Sequence, residues 1–136
     1  MIELITMYRL LNIYSHHAHN MCKGDEFFQD HDFFAGLYAT ADNFYDACIE
    51  RHIGTVSDKL SILNIMVPVN KSLISMSDDY MSESLKLIEK IIKEIDSLTK
   101  SGKLSIGTQN LIAGQADELE IISYKIKRRI LEDEVV

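Results

Sequence analysis

A chain of 136 residues with a formal charge of −7, 21 acidic residues against 14 basic ones, is long enough for one core of its own. That balance disfavours nucleic acid and anionic membrane as partners, because both are held by clustered Lys and Arg. Two cysteines, Cys22 and Cys48, have neither the number of a disulfide framework nor CxxC spacing, so free thiols in a reducing, cytoplasmic compartment are expected. No apolar run approaches the ~18 residues that span a bilayer, and MIELITMYRLL has neither the basic region nor the cleavage site of a leader, so no membrane partner or targeting signal is expected.

One proline and six glycines leave most of the chain free to be helical, and an all-α protein is expected. Residues 2–22 place Leu4, Met7, Leu11, Tyr14 and Ala18 at helical spacing, widened by Leu10, Ile13 and Met21. Tyr8, Asn12, Ser15 and His19 read as a more polar row beside that stripe. Lys23-Gly24-Asp25 stops the helix, with Gly24 as a left-handed cap residue and Asp25 or Asp30 able to accept from the next helix's free N–H groups. A second helix, 30–53, carries a heavy aromatic face of Phe34, Leu37, Tyr38, Ala41, Phe44, Tyr45, Cys48 and Ile49. Asp42, Asp46 and Glu50 share one i, i+4 row, which is repulsive unless something positive faces it.

After Gly54, Val56, Leu60, Leu63 and Ile65 predict a short connecting helix ended by Pro68. A third long helix, 77–100, shows Met81, Leu85, Ile88, Ile92 and Ile95 at a 4-3-4-3 spacing, with Ser77 to cap it and Ser101-Gly102 to end it. The fourth, 108–132, turns Ile112, Leu119, Ile122 and Ile126 inward, with Lys125, Lys127, Arg128 and Arg129 complementing the negative end of the helix dipole. Four long helices and one short connector predict a four-helix bundle.

The stretch 19–50 carries the chemistry. His19, His31, Asp46 and Glu50 follow H-x11-H-x14-D-x3-E, two imidazoles and two carboxylates on two helices. Nitrogen and oxygen donors without thiolate suit iron, manganese or zinc, and no Glu-x-x-His pair of the usual di-iron bundle is present. His16, His17 and His52 read as surface histidines; Asp42 reads equally as a group supporting the ligands or as part of a solvated face. The aromatic residues, Phe27, Phe28 and Phe33 included, read as core and interface packing.

The run H-N-M-C-K-G-D-E-F-F-Q-D-H, then G-L-Y, then D-A-C-I-E-R, resembles the ferroxidase region of the Dps proteins, the mini-ferritins. The resemblance covers about half of the chain; Thr108, Leu111, Glu120 and Tyr124 extend it more weakly into the last helix. It implies a ferritin-like fold, a closed hollow homo-oligomer of twelve subunits, and oxidation of Fe(II), preferably by hydrogen peroxide, with storage of the ferric product. It also implies that His19 and His31 of one subunit meet Asp46 and Glu50 of a two-fold partner, so that iron sits between chains. Ala35 stands where many members have an Asp, Asn20 where an aromatic often follows the first His, and no Lys-rich extension precedes the first helix, so DNA binding is not expected. The alternative is a structural or adaptor helical oligomer that keeps the fold without the ferroxidase chemistry.

Overall fold

The computed structural model describes residues 1–134, with side chains through Leu131. The secondary structure of the described residues is all α-helix: α1 Ile2–Met21, α2 Phe27–Thr55, α3 Ile62–Ser75, α4 Tyr80–Lys100 and α5 Ile106–Glu134. They fall into two compact units, Met1–Tyr80 and Met81–Val136. No helix among the described residues is long and apolar enough to cross a membrane.

In the first unit α1 and α2 form an antiparallel hairpin, with Tyr8 against Phe44, Arg9 against Asp42, Asn12 against Tyr38 and His19 against His31. The turn between them needs Gly24, whose φ of 94° is open to glycine and strained for other residues, and the Gly24 carbonyl accepts from Phe27 N–H at 3.1 Å. Neither Asp25 nor Asp30 occupies the cap position of α2. Its cap position is Glu26, with no side-chain bond, because the helix begins one turn earlier than the apolar spacing indicates.

The seam of α1 is also rotated from the expected stripe. Leu4, Leu11, Tyr14 and Ala18 are buried, but so are Tyr8 and Ser15 of the row read as polar, while Met21 is exposed. Both side chains enter the core through local contacts. Ser15 Oγ donates back to the Leu11 carbonyl one turn earlier, and the Tyr8 ring packs edge-on against Phe44 at 5.5 Å. On α2, Phe34, Leu37, Ala41, Tyr45 and Cys48 are buried, whereas Phe28 is largely exposed and is not a core residue.

Burial, and secondarily the neighbouring Cys48, pushes the Tyr8 phenol far above its ordinary 10.0. The folded chain therefore holds this proton at pH values where the unfolded chain has lost it, so stability is complete below pH 10 and declines as pH rises beyond it. Urea midpoints measured from pH 8 to 11 should fall steeply above pH 10, and Tyr8→Phe should flatten that fall. Equal slopes in the two proteins would contradict this account.

Pro68 does not end α3: it sits inside a helix that starts after Ser61, whose Oγ accepts from Leu63 N–H at 3.2 Å, and continues to Ser75. The ring costs one backbone hydrogen bond, to the carbonyl at position 64, and the packing of Ile65 and Val69 in the core carries the helix across the gap. α3 packs on α1.

In the second unit α4 buries Leu87, Ile88, Ile91 and Ile95, and α5 buries Thr108, Ile112, Leu119 and Ile126. Ser77 Oγ accepts from Asp79 N–H before α4, Gly102 adopts φ 69° after it, and Ser105 Oγ accepts from Thr108 N–H at 3.2 Å at the start of α5. Because α5 runs to Glu134, Lys125 to Arg129 lie more than a turn inside it, and its last turn contains no basic residue.

Candidate metal centre

The hairpin turn brings the end of α1 and the start of α2 together, and the two histidines close it. His19 Nδ1 donates to the His31 carbonyl at 2.7 Å, and His31 Nδ1 donates to the His19 carbonyl at 2.7 Å. A carbonyl only accepts, so the proton of each neutral imidazole is on Nδ1 and each Nε2 keeps its lone pair. Holding one ring nitrogen by a backbone carbonyl is how proteins fix a metal-binding imidazole in tautomer and orientation. The rings stack at 3.7 Å and 20° and are half-buried, with Phe27 stacked on His31 at 5.0 Å. The Cys22 thiol also approaches the His19 carbonyl, at 3.6 Å; burial, then the Asp30 charge, raises its pKa and disfavours the thiolate that would bind a metal.

Tyr38 extends this cluster. Its ring lies 5.5 Å from His19 and stacks on His16 at 4.1 Å and 3°, and its carbonyl accepts from Asn12 Nδ2 at 2.9 Å. His16 is thus an exposed histidine held against a ring, and His17 stands edge-on to Tyr80 at 5.9 Å. His52 departs from its surface reading: it is buried, and its Nδ1 has no hydrogen-bond partner among the described residues.

The positive group called for by the carboxylate row is Arg9. Its guanidinium lies 3.6 Å over the Tyr45 ring, donates to Asn12 Oδ1 at 3.2 Å and pairs with Asp42 at 3.5 Å. Arg9 is the only Lys or Arg in α1, and laying the helices out in antiparallel register would have found the pair from sequence. Asp42 is occupied in this way, while Asp46 and Glu50 are exposed and meet no cation among the described residues.

The two halves of the ligand set do not meet in one chain. Asp46 and Glu50 lie fifteen and nineteen residues beyond His31 on the same helix, about 22 and 28 Å along its axis at 1.5 Å per residue. No cluster of three or more metal-binding side chains forms among the described residues. His19 and His31 meet at the hairpin turn, whereas Asp46 and Glu50 face solvent farther along α2. Comparison with family models, with curated proteins and with solved structures finds no match to this chain.

Proposed function

We propose that this chain is a Dps-like ferroxidase with a ferritin-like bundle fold. Fe(II) is its substrate, bound between copies by His19 and His31 of one chain and Asp46 and Glu50 of another. Hydrogen peroxide, or oxygen, takes the electrons, and the ferric product is stored inside a closed homo-oligomer of twelve copies. The observation that carries this reading is the reciprocal bond between the two histidines, which presents two imidazole lone pairs for a cation. Two further features support it: an exposed carboxylate pair that meets no cation among the described residues, and a separation on α2 that only a second chain can bridge. Carboxylate oxygens stabilise Fe(III) over Fe(II), so they favour the oxidised product where they join the imidazoles. With a charge of −7, DNA is not a proposed partner.

The test is complementation in trans. His31→Ala and Glu50→Ala chains should each be inactive alone. In a two-fold pair of one chain of each kind, one site carries both lesions and the other carries none. Chains refolded together from a random mixture should therefore recover about a quarter of wild-type peroxide-dependent Fe(II) oxidation. No recovery from two folded, inactive parents would exclude ligands shared between chains. A wild-type rate equal to spontaneous oxidation would leave a structural helical oligomer in place of the enzyme, the reading that Ala35 favours by withholding a carboxylate next to His31.

A further inference from the structure

An open groove of about 670 Å³ lies between α4 and α5, within the size range of small-molecule sites. The five residues that join these helices reach at most about 20 Å, too short for α5 to start again beside the first residue of α4, roughly 31 Å back. The two helices therefore run antiparallel.

Antiparallel packing gathers the charges that line the groove into two ends. Asp96 of α4 and Glu120 of α5 stand at one end, where Asp96 accepts from Lys100 at 2.9 Å. Glu89 of α4 and Lys127 of α5 stand at the other, about 10 Å away along the helices. Lys93 leans toward this second end, because helical side chains tilt toward the N-terminus. One end is thus net negative and the other net positive. Glu120, Lys93 and Lys127 make no ion pair among the described residues.

Between the ends the wall is apolar: Ile92 is half-buried, and the Tyr124 ring is 63% exposed. Ser123 completes that wall. It is only 6% exposed, yet its hydroxyl has no hydrogen-bond partner among the described residues, whereas the Ser15 hydroxyl bonds back to its own helix. A buried hydroxyl is costly to leave unpaired, so a polar group in the groove would be stabilised there.

We propose that this groove binds a small zwitterion, an ammonium and a carboxylate joined by a stem of several methylenes. The ammonium donates to Asp96, Glu120 and the Ser123 hydroxyl, the carboxylate accepts from Lys93 and Lys127, and the stem lies on Ile92 and Tyr124. A ligand with a single charge satisfies one end and leaves the other desolvated and unpaired, so the groove discriminates against it. The groove belongs to the second unit and shares no residue with the proposed iron site, so neither reading depends on the other.

The test is saturation-transfer NMR on the full chain with ε-aminocaproate as the probe, which reads the ligand's methylene protons whatever the size of the assembly. Saturable transfer in the millimolar range is expected. Hexylamine and caproate at equal ionic strength should each bind about fivefold more weakly, the worth of one exposed charge pairing. Glu120→Gln should weaken ε-aminocaproate about threefold and leave caproate no weaker, whereas Lys127→Met should weaken ε-aminocaproate by a similar factor and leave hexylamine no weaker. Both positions are exposed, so the variants should fold, and circular dichroism checks that they do. Transfer that never saturates, hexylamine or caproate binding as well as the zwitterion, or wild-type affinity for ε-aminocaproate in both folded variants would overturn the proposal.

Discussion

Replacing His31 with alanine is expected to lower catalysed Fe(II) oxidation under peroxide by about two orders of magnitude or more. Groups that only support a metal ligand are worth 10–100-fold, and on the proposed reading His31 is itself a ligand through Nε2, so its loss should exceed that range; the carbonyl that orients His19 belongs to its backbone. Alanine keeps that carbonyl, so His19 stays held, but it removes one interhelical hydrogen bond, at a cost of about 1 kcal/mol. Glu50→Ala is expected to remove most of the activity by a different route. It leaves the histidine pair untouched and relieves repulsion with Asp46 one turn away, so stability should be level or higher by a few tenths of a kcal/mol. Initial rates of Fe(III) formation measured beside chemical denaturation separate the two effects. Wild-type kinetics in a folded His31→Ala protein would exclude the proposed site.

The largest effect on stability is expected at Phe34. Its ring is 1% exposed and meets Phe33 edge-on at 5.3 Å and Tyr80 at 6.4 Å. Phe34→Ala should cost about 3–5 kcal/mol, the removed apolar surface plus the cavity that remains. Against a total of about 5–15 kcal/mol for a domain, such a loss leaves the first unit marginal at 37 °C. The measurement is the urea midpoint of wild type and variant; a cost below about 1 kcal/mol would mean that the surrounding side chains collapse into the space.

The helices were legible in the sequence because apolar residues recur at threes and fours over more than a dozen positions in four of them, and Gly24 and Gly102 mark the ends of α1 and α4. Several details were not legible. Local signals around Pro68 say stop, and only the burial of Ile65 and Val69, a tertiary effect, carries α3 past it. Tyr8 and Ser15 look polar by residue type, yet a hydroxyl that bonds its own helix, or a ring that packs edge-on, costs little to bury. For the candidate site, residue types and spacing drew attention to His19 and His31, but the bonds that orient them go to backbone carbonyls, which every residue has and no sequence pattern distinguishes. Arg9 lay between these cases: the need for a cation was visible in the spacing of Asp42, Asp46 and Glu50, and its identity required the register of the hairpin.

The five-residue turn Cys22–Glu26 also sets an order in time. Contacts between residues twelve apart form on the timescale of a helical hairpin, long before contacts that need a second molecule. The imidazole half of the ligand set therefore belongs to the newly folded single chain, whereas on the proposed reading the carboxylate half arrives only by encounter and follows mass action. Dilution would then separate holding iron from oxidising it: specific activity per chain would fall with concentration while the histidine pair stayed formed.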